Sequence, residues 1–256
     1  MKEKIYTIPV TEAFGEDCEC PLCVLEKKLE DEYVTYFLGP SLMEPDHRLQ
    51  TNNDGFCRRH FEQLYNSQEN RLGLGLMIDT HMQEQLARLK KAYGSGPAGT
   101  AGRQAFPKLF GRKTSLSPDD AGGPLHKVME ILEALETGCA VCKKLEYTME
   151  RYIDVIFYLW SGEKDFKRIF ESKKGFCMKH FKQLLEDSGK YLKPAETAAF
   201  TGILFNMQME NLDRIQKEVN WFTKKFDYRN TDAPWGNSKD ALPRSIRKLK
   251  GLSQLK

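Results

Sequence analysis

No apolar run in this 256-residue chain is long enough to cross a bilayer. The most apolar stretch, YIDVIFYLW at 152–160, has nine residues and contains Asp154, against about 20 for a spanning helix. The opening residues, MKEKIYTIPVTEAFGED, lack the apolar centre of a signal peptide. The expectation is a cytoplasmic protein with no membrane contact. An excess of one charge is also missing: the formal net charge of +3 is too small to imply a polyanion-binding protein by itself. Strand-like alternation is nearly absent, since KIYTIPV at 4–10 is the sole candidate and Pro9 weakens it. That leaves an all-α fold. No Ser/His/Asp set, carboxylate pair or P-loop stands out, so no catalytic residue is nominated. A literal GxGxxG at Gly94–Gly99 has no strand before it and contains Pro97, so it reads as a connector rather than a dinucleotide loop.

Cysteine, in contrast, is plentiful. Seven cysteines without an export signal point to free thiols or metal ligands rather than a disulfide frame. Six of them, with two of the five histidines, fall in two copies of one pattern. Cys20-Pro-Leu-Cys23 is followed 34 positions later by Cys57-Arg-Arg-His60, and Cys139-Ala-Val-Cys142 is followed 35 positions later by Cys177-Met-Lys-His180. The second halves sit in GFCRRHF and GFCMKHF, 120 residues apart.

The surroundings repeat as well. After the first CxxC, apolar residues fall at Leu22, Leu25, Leu29, Tyr33 and Phe37; after the second, at Val141, Leu145, Met149, Ile153, Ile156 and Trp160. Steps of three and four mark one helix face. A shorter helix follows each CxxH (Phe61 and Leu64; Phe181 and Leu184), and a further one closes each copy at 75–93 and 201–219. The expected architecture is two homologous helical units in tandem, each closed by a Cys3His metal site. The first repeat covers 1–93, a Gly/Pro-rich linker 94–124, the second repeat 125–220 and an irregular aromatic and basic extension 221–256.

Each copy supplies three sulfurs and one imidazole, a complete set for a closed tetrahedral site. The spacing suits this, because residues i and i+3 share a helix face, and helix starts favour thiolates. Two zinc ions per chain are expected; an iron–sulfur cluster is the alternative. Thiol–disulfide chemistry at the CxxC pairs would want a thioredoxin-like βαβ setting, which is missing. Nearness in sequence favours closure within each copy. The alternative is exchange, with the CxxC of one copy meeting the CxxH of the other.

Cys18 is an extra thiol that the second copy lacks: a spare thiol near the site, or an alternative ligand or reactive group. His47, His81 and His126 lie outside the motifs, and His81 aligns with Met207 as a residue at the core edge. The acidic run Glu26 to Glu32, mixed with lysines, reads as a solvated helix face.

The last segment has no counterpart in the first copy. Trp221, Phe222, Phe226, Tyr228 and Trp235 suggest an extended stretch packing back on the helices. Arg244 to Lys256 carries five basic residues and no acidic one. It reads as a solvated tail, with a contact to nucleic acid or an acidic partner as the alternative.

CPxC, GFCxxH and KKFDYRNTDAPWGNSKDALPRSI together resemble an uncharacterised family of bacterial helical proteins, many from anaerobic Firmicutes. The resemblance spans nearly the whole chain and implies a cytoplasmic bacterial setting; it brings no established activity. With all four corners filled by protein, the zinc would be structural. The expected function is a binding or scaffold module for an unknown protein partner or small ligand. A redox protein with iron–sulfur centres or reactive CxxC thiols is the alternative. An enzyme with its site in the cleft between the repeats is the third.

Overall fold

The apolar steps of three and four do form helices. A computed structural model describes residues 4–94 and 123–252. Among these residues there are eleven α-helices, four short 3-10 turns and no strand. They are α1 (Thr7–Gly15), α2 (Pro21–Leu38), α3 (Pro45–Asp54), α4 (Arg58–Ser67), α5 (Arg71–Gly94), α6 (Pro124–Thr137), α7 (Ala140–Gly162), α8 (Lys164–Glu171), α9 (Met178–Tyr191), α10 (Pro194–Lys224) and α11 (Ala241–Lys250). None is long and apolar enough to cross a membrane. Gly94 ends α5; the rest of the GxGxxG and the body of the linker lie outside the described residues.

KIYTIPV is not a strand. It is a 3-10 turn over Lys4–Tyr6 running into α1. Pro9 sits in the first turn of that helix, where no intrahelical N–H is needed. The C-terminal extension is not extended either. Helix α10 continues to Lys224, so Trp221 and Phe222 are helical, and α11 covers the basic stretch as far as Lys250. Pro243 falls in the first turn of α11 and is tolerated for the same reason.

The chain forms two compact units that do not follow chain order. Unit 1 is Met1–Glu30 with Leu145–Lys256, and unit 2 is Asp31–Lys144. The core of unit 1 is aromatic: Phe170 packs on Phe14, Phe176 and Phe200 at ring separations of 5.8, 5.6 and 5.3 Å. Phe200 also meets Phe157 and Trp160. In unit 2, Val34, Phe37 and Leu38 pack with Phe56, Leu64, Leu74, Met77, Cys139, Ala140 and Val141. Each fully buried aromatic side chain of this kind is worth roughly 2–3 kcal/mol of transfer free energy.

Candidate metal centres

GFCRRHF and GFCMKHF build matching corners. Gly55 and Gly175 have φ of 58° and 79°, a left-handed conformation that favours glycine. A Cβ there would lie 2.8 Å from the His81 ring or 2.7 Å from the Gln208 amide oxygen. His81 is thus the counterpart of Gln208, one residue beyond the Met207 that the sequence pattern suggests. It accepts this close packing while bonding the Asn52 carbonyl at 2.9 Å. Phe56 and Phe176 are buried next to each glycine. Cys57 and Cys177 then stand as the residues preceding α4 and α9, with φ/ψ of −68°/163° and −69°/161°. One turn on, His60 and His180 are 1% exposed. Arg58, Arg59 and Lys179 are exposed and Met178 half-buried.

The other corner comes from the start of α2 or α7, and here the expected pairing is overturned. Cys20 and Cys23 meet Cys177 and His180; Cys57 and His60 meet Cys139 and Cys142. The CxxC of each copy is completed by the CxxH of the other. Phe56, beside Cys57, meets Phe37 in the last turn of α2 edge-on at 5.5 Å, which packs Cys57 into unit 2, whereas Cys20 and Cys23 belong to unit 1. Each exchanged set lies within one unit: the first in unit 1, the second in unit 2.

In unit 1, His180 Nδ1 lies 3.5 Å from Cys20 Sγ, 3.5 Å from Cys23 Sγ and 3.3 Å from Cys177 Sγ, and Cys23 to Cys177 is 3.5 Å. In unit 2, His60 Nδ1 is 3.2 Å from Cys57, 3.2 Å from Cys139 and 3.4 Å from Cys142, with Cys57 to Cys142 at 3.9 Å. Around a tetrahedral ion with bonds of about 2.3 Å to sulfur and 2.0–2.1 Å to nitrogen, the edges come to about 3.8 Å for S···S and 3.5 Å for S···N. Both sets could hold a metal ion.

Proton affinities tell the same story. In unit 1, Cys177 is held far below the usual thiol range, chiefly by hydrogen bonds from the Cys20 and Cys23 thiols and further by His180. Cys23 is pushed up to about 12 by its bond to Cys177, and burial raises Cys20. In unit 2, burial works to raise Cys139, but the His60 ring and the backbone N–H groups of Cys142 and Cys57 outweigh it and bring it to about 6. Cys142 is raised by lost hydration and by the Cys139 and Cys57 sulfurs. Crowded sulfurs share few negative charges between them; a dication at the centre lets all three ionise.

The two sets differ in what surrounds them. Around the unit-1 set, Glu26 Oε2 lies 3.5 Å from His180 Nε2, the arrangement that fixes the tautomer of a ligating imidazole. Three residues after Cys142 the sequence has Leu145 in place of this carboxylate. Sequence reading placed Glu26 on a solvated face, yet it falls one turn after Cys23 and so shares its side of α2. Glu30, in the same run, is 1% exposed.

The C-terminal helix also closes over the unit-1 set. A Cβ on Gly251 would stand 3.7 Å from Cys23 Sγ and 3.8 Å from Cys177 Sγ, and the Leu252 N–H donates to Cys23. Lys248, 1% exposed, donates to the carbonyls of Glu19 (2.7 Å) and Lys174 (2.5 Å) and pairs with the Glu19 carboxylate at 3.2 Å. Arg244 and Arg214 converge on Glu19 and Glu218. This part of the expected solvated tail is packed inside unit 1. Cys18 stands outside both sets, half-buried, with burial raising its thiol and the Cys20 N–H working against that rise. It lines a cavity of about 220 Å³ with Cys20, Cys23, Lys174 and Arg247. His47 bonds Tyr36 at 2.5 Å, and His126 lies 3.5 Å from Glu130.

A family model described as a family of unknown function, DUF6062, matches residues 1–256. The chain belongs to that family. Neither the curated proteins nor the solved structures contain a match. Family membership accounts for the whole length and leaves the activity to be argued from the two sets.

Proposed function

We propose that this protein is a non-catalytic helical binding or scaffold module in the bacterial cytoplasm, holding two structural zinc ions per chain. The carrying observation is the donor geometry: six S···N edges of 3.2–3.5 Å, three in each set. Edges of this size suit a tetrahedron around one ion. Zinc would supply folding free energy by tying two helix starts together, with no corner left for water or substrate. An iron–sulfur cluster spreads its ligands over several irons, which calls for wider donor separations than these. Seven free cysteines suit a reducing compartment.

The binding half of the reading draws on α5. Leu72, Leu76, Leu86 and Tyr93 are 76, 52, 51 and 70% exposed and step along one helix face, a surface suited to an apolar partner. The deciding measurement is metal analysis with an absorption spectrum on anaerobically purified protein. Two zinc per chain and no visible absorbance are expected. A brown protein containing iron and sulfide overturns the zinc reading. Photocrosslinking from position 76 in cells tests the partner surface; absence of a discrete adduct removes it.

A further inference from the structure

We propose that the unit-2 set is an oxidant-responsive clasp, in which a hydroperoxide converts Cys57 and Cys142 to a disulfide and releases the ion. The inference rests on the metal-clasp reading. It follows from where the sulfurs are reachable. In unit 1, Cys20, Cys23 and Cys177 are at most 5% exposed, and Gly251 and Leu252 lie over them. In unit 2, Cys142 is exposed and Cys57 half-buried, while Cys139 is buried. The two reachable sulfurs are also close together, at 3.9 Å.

Thiolate character and access govern which cysteine oxidises, and metal-bound sulfurs are thiolates. The Cys142 sulfur attacks one peroxide oxygen, the O–O bond breaks, and the departing alkoxide or hydroxide takes a proton from water. The sulfenic acid so formed is attacked by the Cys57 thiolate, which displaces hydroxide and closes the S–S bond. Two thiolates lose two electrons; the peroxide gains them with two protons and ends as water and an alcohol, or as two waters. With two of four donors turned into disulfide sulfur, the ion leaves. A thiol reductant returns both thiolates and restores the set.

The test uses holoprotein whose metal content has first been measured, treated with hydrogen peroxide in the presence of a chromogenic chelator. Disulfides are then mapped by differential alkylation and mass spectrometry. Expected is release of one ion at least about tenfold faster than the other, a Cys57–Cys142 crosslink, and recovery with dithiothreitol and added zinc. Cys142→His keeps four donors and should hold both ions against peroxide; if it does not fold, the wild-type map decides alone. The proposal falls if both ions leave together, if neither leaves, if a Cys18 disulfide forms first, or if Cys139 replaces Cys57 in the crosslink. Protein that carries no metal at the outset overturns the clasp reading itself, and this inference with it.

Discussion

The two Cys3His sets are built from the same parts and finished differently. Each joins a CxxC at the start of a long helix to a GFCxxH at the start of a shorter one, with Nδ1 of the histidine facing three sulfurs. Around the first, residues outside the duplicated pattern complete an enclosure: Glu26 behind the imidazole, Lys248 on the Glu19 carbonyl next to Cys20, Gly251 over two sulfurs. Around the second, Cys142 is exposed and Cys57 half-buried. The difference teaches that donor spacing decides what a set can bind. What lies against the donors decides how tightly and how reversibly.

The strongest way to break this comparison is to remove one sulfur from each set. Cys177→Ser takes a fully buried donor from a core that includes Phe176 and Phe170, and should cost roughly 4 kcal/mol or more together with one metal equivalent. Cys142→Ser removes an exposed donor and should cost about 1–2 kcal/mol. Denaturant melts with metal counting on both variants check this, and equal losses would make enclosure irrelevant. Next in size is Glu19→Gln. It leaves Lys248 and Arg214 facing a neutral amide in a largely buried network, at about 2–3 kcal/mol. If α11 is the cover, Cys23 should also become faster to alkylate; unchanged protection of Cys23 would assign the enclosure to other residues.

How much of this could be read beforehand follows the range of the interactions. Helix faces and donors are local: Leu22, Leu25, Leu29 and Phe37, or Val141, Ile153, Ile156 and Trp160, are buried as their spacing implies. The eight donors fall into two sets of the expected composition. The exchange of partners was not legible, because sequence separation does not say which compact unit each motif joins. Glu26 and Lys248 were misread for a related reason. A charged residue is taken as solvated until a partner 154 or 229 positions away is known to face it. Pro9 counted against a strand at 4–10, and a first helical turn accepts it.

A smaller effect sharpens the comparison at the backbone. In unit 2 the Ala140 N–H, at the start of α7, donates to the Gly55 carbonyl at 2.9 Å. The matching residue in the other set is Pro21, which has no N–H to give. Ala140→Pro keeps a helix-compatible φ at a first position and deletes that one bond, so about 1–2 kcal/mol should be lost. Pro21→Ala should shift stability by less than about 1 kcal/mol, through the unfolded chain alone. Thermal melts of the two variants give the contrast. Similar losses would show that the two helix starts are supported alike.

The smallest effect concerns acid and the cover over the unit-1 set. Hydrogen bonding from Arg244 holds the Asp240 carboxyl below its ordinary 3.8 at the start of α11. A carboxylate depressed on folding contributes stability that is present above the unfolded value and lost as pH falls through the folded one. Docking of α11 should therefore weaken below pH 3.8. The side chain is 64% exposed, so solvent screens the pair and the change is slight. Amide hydrogen exchange over Ala241–Lys250, corrected for its intrinsic pH dependence, should show extra opening as pH falls below 3.8. Asp240→Asn should show that opening already at neutral pH and add none on acidification. If wild type and variant open in parallel, the cover is held by Glu19 and Glu218, and the helix-start pair adds nothing to the enclosure.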